Sequence, residues 1–517
     1  KILTVAVLSS LLAATPVWAE EQTATKTVTG GTAADNPYRS ITITGDGYGI
    51  QNGAVGTVIN MTTDGKGTIT VTSDRSSESN VSANVTGIAN AKEGTDTNPT
   101  LTVNNGAIIK VSATGGTAGS FYDISAYATG VSANNTSNTK LDAVQVNATA
   151  IGGIRTADLT NLVDKDKYNQ QASATGISVN DSATLNASSA ALTVSATGGS
   201  ASANANDSTA SATGINFSEG TATIGGPVTL AITATGGKYL EGGHLAYTDA
   251  TAEGVGAWGE SSLTTGALTG TVTAAGGKSN RNDGYSCGSS NANAYGVELA
   301  SGAALEAASV DLNVTATAGE NDCGSGYYSH PQAYALAYGL ANGYKESYGS
   351  LYAGGTLKVT GAAVVKVAAA GGTSTASDIK ADVTAYGLSN VNTYAYDGDV
   401  TSTLGSLDAT VSATGGTAAN TMNVNAYGLY NRGYSSTYDA SKISQKAVVD
   451  VTGTTTLNVS ATGGNTGDAA QTVTAYGIMN QADKNDATIT LDSLDATVTA
   501  TAGTIAATNE TTQEIFA

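Results

Sequence analysis

The chain has 517 residues, of which only 12% are charged and 6% aromatic, and 64 are glycine. Large side chains are too few for a wide globular core, and charge is too sparse for a self-repelling disordered tail. Forty-two acidic residues against 22 basic ones, a net charge of −20, argue against nucleic acid and against a polybasic membrane-surface role.

At the start, Lys1 precedes an apolar run from Ile2 to Ala14, then Pro16 and Val17-Trp18-Ala19 before Glu20. A basic residue, an apolar stretch and small residues at a cleavage point are the parts of a secretory signal peptide, expected over 1–19 with removal after Ala19. Residues 20–45 are expected to form an N-terminal cap.

From 46 to 503 two short motifs alternate. Val-[Ser/Thr]-Ala-Thr-Gly-Gly ends at Gly116, Gly199, Gly416 and Gly464, with Ile for Val at Gly237. Ala-[Thr/Tyr]-Gly recurs at Gly130, Gly176, Gly214, Gly296, Gly339, Gly387, Gly428 and Gly477, with variants at Gly49, Gly87 and Gly254. The mean step of the second motif is ~43 residues. Before the double glycine the sequence alternates strictly, as in Leu407/Ala409/Val411/Ala413 against Asp408/Thr410/Ser412/Thr414. Period two predicts half-buried strands, and the terminal Ala predicts a thin interior there. The double glycine is expected to turn a corner through positive φ. Two strand-and-corner motifs per unit predict an all-β solenoid of ~43-residue two-turn repeats, some twenty turns in a rod on the order of 100 Å long. A propeller has the same period, but eleven consecutive copies exceed its usual blade number.

Two rows of identical residues follow the second motif. Asn52, Asn90, Asn342, Asn390, Asn431 and Asn480 are expected to form an asparagine ladder at a corner, and Tyr295, Tyr338, Tyr386, Tyr427 and Tyr476 a stacked aromatic column. Both are read as structural.

Loop insertions interrupt the repeats at 154–171, 278–293, 320–336 and 343–353, the first expected to hold a short helix. Cys287 and Cys323 lie in corresponding loops of adjacent units, where stacking makes a disulfide physically reasonable in an exported chain. Free thiols or a metal pair are the alternatives. Tyr with Ser, Gly and Asn is a composition that binding surfaces use. Tyr285, Tyr327, Tyr328, Tyr344, Tyr348 and Tyr352 therefore form the candidate binding patch. Residues 504–517 read as a terminal end or linker.

Signal peptide, acidic composition with two cysteines, Thr/Ala/Gly/Asn-rich strands and degenerate repeats together resemble the passenger region of a Gram-negative autotransporter adhesin. The resemblance implies a right-handed parallel β-helix displayed at the cell surface and acting in adhesion or aggregation. It also implies an outer-membrane β-barrel translocator, expected outside this sequence.

Chemistry is scarce. With two His and no Gly-x-Ser-x-Gly elbow, neither a nucleophilic triad nor a metal centre is indicated, and no cofactor is expected. Asp-x-Asp pairs at Asp164/Asp166 and Asp397/Asp399 read as solvated turns rather than calcium loops. The expected function is non-catalytic adhesion or self-association, the partner being a glycan or protein of a host or neighbouring cell, or a second copy. A surface-layer or filament subunit is the alternative, and a polysaccharide-active β-helix enzyme a more distant one.

Overall fold

A computed structural model describes residues 20–22, 26–28, 38–61, 67–91, 98–118, 123–156, 169–202, 204–240, 244–280, 288–322, 333–345, 351–374, 381–393, 398–418, 422–434, 446–467, 470–483, 486–505 and 513–517. Every secondary-structure element among them is a β-strand. The predicted signal peptide, the Cys287–Cys323 pairing, Asp164, Asp166 and Asp397, and the helix expected within 154–171 lie outside the described residues.

From Ala107 onward each repeat lays strands on three faces. One unit contributes Ala304–Thr317 to a long face, Glu320–Asn321 to a narrow face and Ala335–Lys345 to a third face that carries the Ala-Tyr-Gly motif. The next unit lays Thr356–Ala370, Thr373–Ser374 and Ala381–Asn392 on the same three faces. These faces are sheets of 16, 10 and 14 strands, parallel throughout except for the hairpin strand Leu351–Ala353 in the last. Together they form a parallel β-helix.

The register corrects the predicted two-turn repeat. Val314 pairs with Val367, Val367 with Val411 and Val411 with Val459, so hydrogen-bonded neighbours stand one whole repeat apart. One repeat is therefore one three-sided coil. The two motifs are two faces of that coil, joined by a strand of two residues, and were not separate turns. The stack is correspondingly shorter than the rod expected from sequence, about 60 Å for a dozen strand spacings. Residues Glu20–Gln22 and Lys26–Val28 pair with the strands at 38–44 and 47–52, and Gln513–Phe516 pairs with Gln471–Thr474, so both outer segments continue the sheets.

The interior is one continuous cluster running from Tyr38 to Ala475. Alternation puts Leu312, Val314 and Ala316 inside and Asp311, Asn313 and Thr315 outside. On the motif face the alternation shifts by one at each motif glycine: Ala212 and Ile215 are both core, and the ladder passes from Thr175↔Thr213 to Ile177↔Ile215.

Steric demand, and not positive φ, explains the glycines. None of the double-glycine corners falls among the residues with left-handed φ. A Cβ on Gly416 would overlap the carbonyl oxygen of Gly372, and one on Gly464 that of Gly416. Left-handed φ occurs instead at other points, among them turns from the motif face to the long face. Asp181 and Ser182 have φ of 54° and 61°, and Ala183 N–H donates to Asn180 O at 3.1 Å, closing a turn with both central residues left-handed.

Candidate binding face

The outer surface of the motif face carries the side chains that the core does not need. Following the register, one outward column reads Thr129, Thr175, Thr213, Glu253, Tyr295, Tyr338, Tyr386, Tyr427 and Tyr476. The tyrosines stack in order. Ring centroids are 5.5, 4.5, 4.7 and 5.6 Å apart, with interplanar angles of 6°, 2°, 9° and 19°. The strand spacing sets this geometry, since identical residues on adjacent parallel strands meet face to face. Burial, with the neighbouring phenols adding to it, pushes the Tyr386 hydroxyl well above its ordinary range. The Tyr427 hydroxyl is raised to about 12 by burial first, then by Tyr430 and Tyr476.

A hairpin folds onto this column. The parallel register ends at Asn342; from Gly343, with φ of 78°, residues 343–345 pair antiparallel with 351–353. Tyr344 then sits edge-on to Tyr295 and Tyr338, at 5.6 and 6.2 Å, and stacks on Tyr352 at 4.8 Å. Of the predicted patch, Tyr344 is buried against the ladder and Tyr352 is 37% exposed. Tyr285, Tyr327, Tyr328 and Tyr348 lie outside the described residues. Patch and ladder, separate in the sequence reading, meet through Tyr344.

The asparagine row lies inside the molecule. Asn342, Asn390 and Asn431 are fully buried; each donates to the next copy, at 3.0 Å to Asn390, 2.8 Å to Asn431 and 2.8 Å to Asn480. Asn52 donates to Asn90 at 2.8 Å, and Asn90 then passes to Thr139 Oγ1. Between these two runs the same column holds Ala133, Val179, Phe217, Ala257 and Leu299. No ladder asparagine has left-handed φ. Their amides serve the backbone instead. Asn342 donates to Thr401 O and accepts from Gly355 N, and Asn431 donates to Ala447 O and Thr488 O. Asn90, Asn342, Asn390, Asn431 and Asn480 thus occupy coils whose exit is longer than the tight turn, while Asn52 precedes an exit as short as that one. Coils closed by that turn, as at Asp181-Ser182, satisfy their own groups and take an apolar residue.

Sequence reasoning missed an acid pair. Glu253 and Glu298, on successive coils, are each 5% exposed, and the Glu253 carboxyl stands over Gly256, the register partner of Glu298, so the two acids are neighbours. A Cβ on Gly256 would collide with the Glu253 carboxyl and lie 2.6 Å from Trp258 Cη2, so this glycine makes the space in which acid and indole sit. Burial first, then the adjacent Glu298, hold the Glu253 carboxyl well above the usual carboxylate range. The signal was legible: Ala252-Glu253-Gly254 has an acid where most motif copies have Thr or Tyr.

On another edge the double-glycine corners leave a groove of ≈ 410 Å³, lined among others by Lys238, Lys278, Thr317, Glu320 and Thr373. Lys278 and Glu320 form an ion pair across it. Among the described residues no group of three or more His, Cys, Asp or Glu could hold a metal ion. No family model, curated protein or solved structure matches the chain.

Proposed function

We propose that this chain is an exported, surface-displayed β-helical passenger that binds without catalysis. Its partner is a glycan or protein of a host or neighbouring cell, or a second copy, and a β-barrel translocator outside this sequence anchors it. The observation that carries the reading is the tyrosine system on the motif face. A solenoid needs a filled interior, yet here rings are stacked in register on its outer side and a hairpin presents Tyr352 at the surface. Rigid rings on a stiff scaffold bind at low entropic cost. The signal-peptide pattern supports export.

The test is adhesion of the whole chain to epithelial cells, immobilised glycans and itself, with Tyr352→Ser as the variant. Binding several-fold weaker, with the thermal midpoint unchanged, supports the reading. Equal binding by Tyr352→Ser and by a chain also carrying Tyr285→Ser, Tyr327→Ser, Tyr328→Ser and Tyr348→Ser would contradict it.

A further inference from the structure

The most unusual chemistry lies where the threonine column of the motif face gives way to tyrosine. Glu253 occupies the junction, with Thr213 on the coil before and Tyr295 on the coil after. Its Oε1 has no hydrogen-bond partner, and Oε2 receives only a long bond of 3.5 Å from Thr213 Oγ1. The other group acting on this carboxyl is the Glu298 carboxyl. From the elements packed around it, the preceding strand offers the Thr213 hydroxyl, its own strand the Trp258 indole, and the following strand Tyr295 and Glu298. Further along, the hairpin strand adds the phenols of Tyr338 and Tyr344. None of these described groups is a cation.

Two carboxyls buried side by side, with no cation among the described groups around them, are relieved when a proton is held between them. With both ionised, two like charges would stand together out of water, which the fold must relieve by opening. We propose that the Glu253–Glu298 pair is a proton-dependent latch on the motif face: while the proton is held, Trp258 and the Tyr295 end of the aromatic column stay packed, and its loss loosens them. This device goes beyond the binding reading and stands without it. Native Glu253 keeps a proton that the unfolded carboxyl gives up, so stability is intact below the ordinary glutamate range and is lost as pH rises through the native value.

Hydrogen exchange of the whole chain, corrected for intrinsic rate, tests this between about pH 5 and about pH 9. Protection within Ala250–Trp258 and Ala292–Ala300 should fall about tenfold or more across that range, while Lys446–Thr462 holds. Glu253→Gln should flatten the fall. Glu298→Gln, which removes the like charge but leaves Glu253, should move its midpoint to lower pH and serves if Glu253→Gln does not fold. A fall that is the same in all three proteins would overturn the latch. So would loss of protection at about pH 5 on adding EDTA, because a cation and not a proton would then hold the pair.

Discussion

Glycine at the motif position does two jobs at one point. The missing Cβ of Gly339 would stand 2.7 Å from the Gly387 carbonyl oxygen, 2.9 Å from Val367 Cγ2 and 3.0 Å from Val365 Cβ. The next coil and the opposite face both close on that spot, so the interior there is one side chain thick, and the long face supplies it. Gly339→Ala is therefore expected to destabilise by about 1–3 kcal/mol through overpacking. A lowered denaturation midpoint with native-like circular dichroism would agree, and an unchanged midpoint would not. The glycines were legible as a period, but their role was misread. Positive φ is the usual reason for glycine at a corner, and contact between coils cannot be seen until the stacking partner is known.

At the scale of the element, the two ladders differ in what holds them. The asparagine ladder is hydrogen-bonded within the core and closes the open ends of long exits. Asn390 Nδ2 serves Asn431 Oδ1 and Val400 O, while its Oδ1 accepts from Asn342 and Ser402. Replacing Asn390 by Leu takes the donor from Asn431 Oδ1 and the acceptor from the Ser402 hydroxyl, at a cost of about 1–3 kcal/mol for each group left without a partner. The reverse exchange, Val179→Asn, should also destabilise, because the tight turn at Asp181-Ser182 leaves an amide nothing to bond. Paired denaturation curves check both, and tolerance of either exchange would refute this division of labour.

The tyrosine ladder is held by stacking on the outer surface, with Tyr295, Tyr338 and Tyr386 shielded from water and Tyr476 exposed at its end. Native Tyr427 keeps its proton to about pH 12, so the column's contribution is complete below the ordinary phenol range and is lost as pH rises through that value. Ultraviolet titration should show exposed tyrosines ionising first and a later stage that shrinks when Tyr386 and Tyr427 are changed to Phe, Tyr430 remaining in it. A single stage would contradict the shielding. Both rows were visible in the sequence as fixed offsets from the motif. The gap in the asparagine row was visible too, but it has meaning only once short and long exits can be compared.

At the scale of the whole molecule, strand alternation was enough to identify a solenoid, and the coil count was not. Each repeat holds two strong motifs, and the narrow face between them, such as Thr417–Ala418, is two residues long and carries no pattern of its own. Counting motifs therefore doubled the number of turns. The acid pair was missed for a related reason: Glu253 and Glu298 lie 45 positions apart, and only the one-repeat register makes them neighbours. Register is thus the central claim. It decides the length of the stack, the order of both ladders and the meeting of the two carboxyls.

Thr273 and Thr315 test it most directly, being register partners on the outer side of the long face. With Cys287 and Cys323 changed to Ser, cysteines placed at 273 and 315 should oxidise to an intramolecular disulfide without loss of native structure, since adjacent strands bring Cα atoms to about 5 Å. If each repeat instead made two turns, the same cysteines would stand about 10 Å apart on alternate coils, beyond the reach of a disulfide. Ready formation of the bond is the predicted result. Its failure in the folded chain would contradict the one-coil repeat.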